Sequence, residues 1–293
     1  MIDEIRADLR HLVRELGLLD HNCFGSGFTL TQAHLLNYLK KNGPVAFSEL
    51  QAQLNMDKAS LSRALSTLQN DKLLLASTHP HDKRQKKFSI TETGLLRLHG
   101  ADDAANFRIG DVTSLMSDAE KITAAEGLRT LRLAVLRYNL LNDNGRVVYE
   151  QMNPNYSIAV IQLISRVFSS EQNIPSLLIP LSDDIPQKWW IARAGETVLG
   201  AVACWQNNES WHWGRFVVDP KFRGMKIGDT LARISLEAML IETDTLHIEA
   251  RDVTVRIIQK LGGIITGDTM DFYGMPVTPM EITRKGKLPI SSN

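Results

Sequence analysis

Residues Trp211–Leu231 read WHWGRFVVDPKFRGMKIGDTL, a run of strand-forming residues followed by a glycine-containing loop and an amphipathic pattern. Tryptophan, phenylalanine and valine favour an extended strand at the start, and the apolar spacing after Gly228 favours a helix at the end. Between them, Gly224 and Gly228 bracket Lys226, with Arg223 in front. Because unpaired N–H groups and the helix dipole attract anions at a helix N-terminus, this stretch predicts a phosphate-binding site.

Two well-known phosphate-binding loops match the stretch poorly. A dinucleotide fold places its glycines directly after the strand, whereas Asp219–Phe222 intervene here. A Walker loop needs Gly-Lys followed by Ser or Thr, which the stretch lacks. The segment does resemble the acetyl-CoA loop of GNAT N-acetyltransferases, R/Q-x-x-G-x-G/A, with Arg223 first and Gly228 last. It departs from that pattern at the fourth position, where Lys226 replaces glycine.

Residue patterning predicts a helix at 228–242, a strand at 245–250 and a single strand at about 264–272. The GNAT resemblance covers roughly residues 146–284, including the strand LHIEA and a helix that ends in IIQKLGG. It implies an α/β domain with a mixed sheet that transfers acetyl directly from acetyl-CoA to an amine, without a covalent enzyme intermediate. The strand end at 216–218 is implied to hold the pantetheine arm and the thioester carbonyl, and the loop is implied to hold the pyrophosphate. The implied cofactor-binding residues are Phe216, Val217, Val218, Arg223, Gly224, Met225, Lys226, Ile227, Gly228 and Asp229.

Acetyl transfer to an amine also needs a base, because an amine is protonated at neutral pH. Some GNAT enzymes place a glutamate six residues before the end of the strand, and the matching residue here is His212. The ordinary histidine pKa of about 6.5 suits that role. Glu249 on the next strand is the alternative base. A purely structural role is the other interpretation of both residues.

The usual proton donor to the leaving thiolate in this family is a tyrosine, and the matching position here is Ile258. Tyr273 is the replacement that we consider, because it is the nearest tyrosine. The lost tyrosine, together with Lys226 in the loop, favours an alternative in which the domain binds acyl-CoA or an amine without turnover.

The segment Lys58–Arg97 carries eight basic residues against three acidic ones, a local net charge of +5. The whole chain is balanced, with 33 Lys and Arg against 33 Asp and Glu. Such a local excess is typical of a surface that meets a nucleic-acid backbone, and a solvated helix face is the alternative.

The predicted elements around this segment come in the order helix, helix, short helix, polar-faced helix and basic hairpin. A winged helix-turn-helix has this order; its polar helix enters the DNA major groove and its hairpin reaches the neighbouring minor groove. The polar and basic residues on the predicted recognition helix are Lys58, Ser60, Ser62, Arg63, Ser66 and Thr67.

Residues 30–98 resemble the MarR family of transcriptional regulators. The wing motif D-x-R is present as Asp82-Lys83-Arg84, and the T-x-x-G that starts the next helix is present as Thr91–Gly94. The resemblance implies that Arg84 enters the minor groove and that Asp82 braces either a base-reading arginine or the wing. It also implies that the protein binds palindromic double-stranded DNA as a homodimer.

That dimer is implied to form through the first and last helices of the N-terminal domain. The apolar helical face at 117–141 agrees with such an interface, because a lone small domain would leave it under-buried. The four turn residues Asn142–Gly145 then mark a boundary. We therefore predict a mainly α, MarR-like winged-helix domain at 1–143 and a GNAT-like α/β domain at 146–288.

The bulk composition agrees with two domains, since 293 residues exceed what one ordinary core needs. Only two cysteines occur, Cys23 and Cys204, and their separation gives neither a disulfide framework nor a zinc site. No signal sequence is evident, and no apolar run reaches the ~18 residues that would span a membrane. The sequence predicts a soluble cytoplasmic protein without a metal site or membrane contact.

Together these patterns predict a transcriptional regulator that is also an acetyl-CoA-dependent N-acetyltransferase, with a small amine or amino acid as acceptor. One alternative is a DNA-binding regulator whose GNAT-like domain only senses acyl-CoA or an amine. A third hypothesis is an acetyltransferase whose winged helix only dimerises. Turnover on any amine separates the first two, and salt-dependent DNA binding separates the third from both.

Overall fold

The chain folds into two compact units, Met1–Arg146 and Val147–Asn293. The structure is a computed structural model and describes residues 1–79, 82–172, 184–272 and 274–284. The first unit is mainly helical and the second is built on a mixed sheet, so the predicted order of a helical domain and an α/β domain is confirmed. The exact bounds predicted for the domains, 1–143 and 146–288, stay a prediction.

The first unit packs its helices over a small antiparallel sheet of order β1-β3-β2. Its core is mostly aliphatic and includes the buried side chains Leu35, Leu39, Leu61 and Leu65. The elements are α1 (Ile2–Glu15), α2 (Leu30–Asn42), β1 (Val45–Ala46), α3 (Phe47–Leu54), α4 (Lys58–Asn70), β2 (Leu74–His79), β3 (Asp82–Ile90), α5 (Glu92–Ser114) and α6 (Asp118–Leu141).

The T-x-x-G motif joins α5 to the start of β2. The Thr91 hydroxyl accepts a hydrogen bond from the Gly94 N–H at 2.9 Å, which caps the helix, and lies 3.1 Å from the Leu73 carbonyl, to which it donates. A Cβ on Gly94 would lie 2.3 Å from that same carbonyl oxygen. Glycine is therefore required here by the close approach of the helix to the chain entering β2.

The second unit is an eight-stranded sheet in the order β10-β11-β8-β7-β6-β5-β4, with β9 paired to β11. Its elements are β4 (Val148–Gln151), α7 (Ser157–Gln172), β5 (Gln187–Ala194), β6 (Thr197–Asn207), β7 (Ser210–Val218), α8 (Ile227–Glu242), β8 (Thr245–Ala250), α9 (Asp252–Lys260), β9 (Ile264–Ile265), β10 (Met270–Phe272) and β11 (Met275–Thr283).

The central strands β7 and β8 are parallel and pair over a short length. The register joins His212 to His247 and Trp213 to Ile248, and the described residues show no further pairing between these strands. On the other edge of β7, the register with β6 shifts between Ala201 and Ala203, where β7 has one residue more than β6. Such a bulge bends a strand and increases its twist, which agrees with the divergence of β7 from β8.

Buried polar contacts tie the sheet to its helices and edge strand. The indole N–H of Trp213, on β7, donates to the Ser235 hydroxyl on α8 at 2.9 Å. The Arg193 guanidinium on β5 is only 2% exposed and pairs with the Glu150 carboxylate on β4 at 2.5 Å.

Within the described ranges, no helix is both long and apolar enough to cross a membrane.

Candidate functional site

The loop after β7 is anchored by Asp219, whose side chain is buried. Its carboxylate accepts from the Lys221 N–H at 3.0 Å and pairs with the Arg166 guanidinium of α7 at 2.7 Å. The next residues form one 3-10 turn, Pro220–Phe222, whose phenylalanine is fully buried. These contacts fix the direction in which the chain leaves the sheet and approaches α8.

Lys226 lies immediately before α8 in the left-handed conformation, with φ at 58°. Glycine adopts this conformation without the steric cost that a Cβ brings. The GNAT loop pattern has glycine at this position, and Lys226 adopts a backbone conformation that glycine favours. Its side chain is exposed. Gly224, two residues earlier, also has a positive φ, at 82°.

The first turn of α8 lies against the end of β7. A Cβ added to Gly228 would lie 3.2 Å from the Phe216 ring and 3.4 Å from a Val218 methyl group. The Asp219 N–H donates toward β6, to Leu199, at 2.8 Å. Because backbone groups alternate along a strand, the N–H of Val218 faces the opposite edge, where β8 does not pair.

A cavity of about 320 Å³ opens where β7 and β8 begin to diverge. That volume is in the range of small-molecule sites. Its lining is mostly aromatic and charged, and consists of Phe168, Trp205, Asn207, His212, Trp213, Gly214, Arg215, Phe216, His247, Glu249, Arg251, Thr254, Phe272 and Val277.

His212 sits in an aromatic stack at this cavity. Its ring lies over the Trp205 indole, with centroids 5.7 Å apart and planes 19° apart, and 5.5 Å from the His247 ring. Burial and then the neighbouring His247 lower the pKa of His212, while the Glu249 carboxylate opposes that shift. His212 is therefore mainly neutral at pH 7, the form that can accept a proton.

The outer face of α4 presents the polar side chains singled out in the sequence. Lys58, Ser62, Arg63, Ser66 and Thr67 are exposed, and Ser60 is half-buried. The opposite face carries the buried residues Leu61, Ala64, Leu65 and Leu68. The Asp57 carboxylate caps the helix by accepting from the Ser60 N–H at 2.9 Å.

Two family matches divide the chain as the fold does. The MarR family matches residues 26–85 and the acetyltransferase (GNAT) domain matches residues 181–284. The unit that contains the first match is called the MarR domain below, and the unit that contains the second is called the GNAT domain. No curated protein sequence matches the chain.

Several solved structures are similar to the chain over just under half of its length. ElaA of Escherichia coli is 19% identical, over 46% of this chain and 99% of its own, with a TM-score of 0.42. An acyl-CoA N-acyltransferase from Pseudomonas aeruginosa is 17% identical, over 46% of this chain and 97% of its own, at 0.40. BpsR of Bordetella bronchiseptica is 20% identical, over 44% of this chain and 98% of its own, at 0.38.

In the GNAT domain, the structure brings the predicted strand end and loop together. Phe216 lines the cavity, and Val217 and Ile227 are buried. Met225 and Gly228 are half-buried. The exposed members of the predicted set are Arg223, Gly224, Lys226 and Asp229.

The two predicted bases, His212 and Glu249, line the same cavity of the GNAT domain. Ile258 is fully buried on α9, where a Cβ on Gly263 would lie 2.4 Å from its side chain. Thr254, one turn earlier on the same face of α9, does reach the cavity. Tyr273 lies outside the described residues.

In the MarR domain, the backbone of Asp82-Lys83-Arg84 forms the start of β3. The side chains of these three residues lie outside the described part of the chain, so their predicted contacts with DNA stay a prediction. The roles predicted for the α4 residues also stay a prediction.

Sequence reasoning missed several residues of the cavity, above all Arg215, His247 and Arg251. One available signal was a charged residue inside a strand pattern, as Arg215 is within WHWGRFVV. No local signal places β8 beside β7. Cys204 is buried in β6, and burial raises the pKa of its thiol well above the ordinary range, which makes it a poor nucleophile.

Proposed function

We propose that the GNAT domain is an N-acetyltransferase that uses acetyl-CoA and transfers its acetyl group directly to an amine. The observation that carries this proposal is the diverging pair β7 and β8. It leaves an unpaired strand edge between a helix N-terminus on one side and a cavity containing a neutral histidine on the other. An extended pantetheine arm fits such an edge, because its amides can hydrogen-bond as a strand would.

The pyrophosphate of the cofactor would lie on the N–H groups of the 223–229 segment. The Thr230 N–H already donates to Lys226, so the donors left over are those of the preceding turn. Arg223 is exposed beside the strand end, where its Nε lies 3.3 Å from the Val218 carbonyl. This positive segment is suited to a phosphate anion.

The acceptor amine would enter the cavity as an ammonium ion. His212 takes its proton, the neutral nitrogen attacks the thioester carbonyl, and an N–C bond forms as the C–S bond breaks. As the C–S bond breaks, the newly bonded nitrogen loses its second proton to water and the leaving thiolate takes one proton from water, because the usual tyrosine is Ile258 here. Backbone N–H groups at the end of β7 would stabilise the charge that develops on the carbonyl oxygen.

Calorimetric titration with acetyl-CoA tests the cofactor site first. The Gly228→Trp variant should lose binding, because its indole would occupy the gap beside Phe216 and Val218. The control is Ile241→Trp, at the exposed C-terminal end of the same helix, about 20 Å away at a rise of about 1.5 Å per residue. Unchanged binding in Gly228→Trp, with the fold intact, would place acetyl-CoA elsewhere.

The buried Ile258 favours the second candidate, a GNAT domain that senses acyl-CoA or an amine without turnover. Release of free thiol from acetyl-CoA over a panel of amines distinguishes the two functions. Turnover that falls sharply in His212→Ala supports the enzyme. Binding of acetyl-CoA without turnover on any amine supports the sensor.

We further propose that the MarR domain binds a palindromic DNA operator as a homodimer, in the cytoplasm, where DNA and acetyl-CoA are both available. The support is the exposed polar face of α4 together with apolar side chains that the described residues leave uncovered. None of the α1 residues is buried, and Leu133 is the single buried residue of α6. Two α4 helices related by a two-fold axis would read two half-sites.

DNA binding is tested on sites selected from random duplexes, by electrophoretic mobility shift at several salt concentrations. Arg63→Ala should weaken binding and lower the salt slope by about 1 if Arg63 contacts a phosphate, whereas a base contact would relax specificity at one position. Arg256→Ala, at an exposed position on α9, is the matched control. Failure to select any DNA would leave dimerisation as the role of this domain.

A further inference from the structure

Two guanidinium groups line the cavity of the GNAT domain at the place where an acceptor would bind. Arg215 comes from the bulge on β7 and has a positive φ of 51°. Arg251 directly follows β8. The two strands that diverge at this point therefore each bring one permanent positive charge to the same cavity.

Each of these arginines has a buried nitrogen that lacks a hydrogen-bond partner. The atoms are Nε of Arg215 and Nη2 of Arg251, and neither finds an acceptor among the described residues. Leaving a buried donor unmatched is costly, and more so for a charged group, so folded proteins rarely do it. Two such donors at one cavity point to an acceptor group that a ligand supplies.

Among the described residues, the protein's own anions do not fill this role. Glu249 lines the cavity but forms no ion pair within 4.0 Å with either arginine in the described part of the chain. The other carboxylate nearby, Glu281, pairs with His247 at 3.2 Å. The Trp205 ring covers one side of Arg215, 5.9 Å from its guanidinium carbon.

The charge pattern selects among amines. A simple amine or polyamine would bring its ammonium toward two guanidinium groups, and like charges repel strongly in a partly buried site. An ammonium that carries a carboxylate can place its anion on the arginines and its nitrogen near His212 and Glu249. A ligand of this kind matches both halves of the cavity.

We propose that the acceptor of the GNAT domain is an amino acid or another amine that carries a carboxylate, and that Arg215 and Arg251 bind this carboxylate. This assignment rests on the acetyltransferase function proposed above. The proposed carboxylate site is distinct from the proposed pyrophosphate site, because none of the residues 223–229 assigned to the pyrophosphate lines the cavity.

The first experiment compares matched acceptors on the wild-type protein with acetyl-CoA. The pairs are alanine and ethylamine, phenylalanine and phenethylamine, and lysine and cadaverine, each differing by one carboxylate. We expect kcat/KM at least 10-fold higher for the amino acid in every pair that turns over. Equal or better turnover of the decarboxylated partner would overturn the proposal.

The second experiment uses Arg215→Gln and Arg251→Gln, with Arg256→Gln on α9 as the exposed control. Both cavity variants should raise KM for the amino acid about 10-fold or more, bind acetyl-CoA as the wild type does, and leave the decarboxylated amine nearly unaffected. Thermal unfolding checks that each variant is folded. A loss of acetyl-CoA affinity instead would assign the arginines to the cofactor and overturn the proposal.

Direct binding separates this assignment from the proposed reaction. Calorimetry with the same amino acids and with their N-acetyl products needs no turnover. If amino acids bind to the wild type and not to the arginine variants, and no acetylation occurs, the carboxylate site is supported and the acetyltransferase function is contradicted. If simple amines are acetylated and no amino acid is bound or acetylated, the acetyltransferase function is supported and the carboxylate site is contradicted.

Discussion

At the residue scale, His212 links the cavity to the pH dependence of the proposed reaction. Burial and His247 lower its pKa, so its proton-accepting neutral form persists to a lower pH than for an ordinary histidine. We expect the acid limb of kcat to lie below the ordinary histidine value of about 6.5. Rates of thiol release measured across pH at saturating substrate report this limb.

Substitution of each candidate base shows which residue causes the acid limb of kcat. His212→Ala should lower kcat by roughly 10²–10⁴-fold, the usual contribution of a general base, and remove the limb. Glu249→Gln should keep it. The reverse result would make Glu249 the base and leave His212 as a stacking partner of Trp205.

Two substitutions of Lys226 distinguish the effect of its backbone strain on stability from the effect of its charge on cofactor binding. A left-handed conformation costs a non-glycine residue roughly 1–2 kcal/mol, so Lys226→Gly should stabilise the GNAT domain by about 1 kcal/mol after the loss of chain entropy. Lys226→Ala keeps the strain and should leave stability nearly unchanged. Urea unfolding followed by tryptophan fluorescence measures this domain, since every tryptophan of the chain follows residue 188.

The same two variants test whether the Lys226 ammonium group contributes to acetyl-CoA binding. If it contacts the pyrophosphate, both variants should lose similar acetyl-CoA affinity, and the loss should shrink at high salt. Equal stability of Lys226→Gly and Lys226→Ala would argue against the strain account.

At the element scale, the junction between α5 and β2 depends on one glycine. Gly94→Ala puts a Cβ against the Leu73 carbonyl, a backbone atom that cannot move without shifting the strand. We expect a loss of about 2–3 kcal/mol in the stability of the MarR domain. Circular dichroism at 222 nm during urea unfolding should show the MarR domain unfolding at a lower urea concentration than in the wild type.

Gly100, on the same helix, provides the control, because a Cβ there meets nothing within 4 Å. Gly100→Ala should stabilise the helix by about 0.5–1 kcal/mol. Tryptophan fluorescence should stay unchanged in both variants if the two domains unfold independently. If Gly94→Ala left the stability of the MarR domain unchanged, the junction would be looser than its geometry indicates.

At the scale of the whole molecule, the exposed apolar face of α6 predicts a dimer. Leu128, Val135 and Tyr138 are 56%, 51% and 65% exposed and lie on one side of the helix at helical spacing. A double variant, Val135→Asp with Tyr138→Asp, should yield a monomer by analytical ultracentrifugation and lose affinity for a palindromic DNA site. Ile241→Asp, on an exposed apolar residue of the GNAT domain, should change neither property. A monomeric wild type at micromolar concentration would contradict the predicted interface.

Local features were predictable because they depend on residues close in sequence. The predicted helix at 228–242 and strand at 245–250 correspond to α8 and β8 nearly residue for residue. The Asp57 cap of α4 is local in the same way, since a cap needs only the next few residues. The predicted single strand at 264–272 was wrong, because it divides into β9 and β10, which pair with different parts of β11.

The sequence by itself determined the two families, the phosphate-type loop after β7, the polar face of α4 and the candidate base His212. Only the tertiary structure decided that β7 carries a bulge and pairs with β8 over so short a length. That divergence creates the cavity and brings Arg215 and Arg251 to it from strands separated by a whole helix. The physical reason is that strand register and bulges depend on contacts between distant segments, which no local spacing encodes.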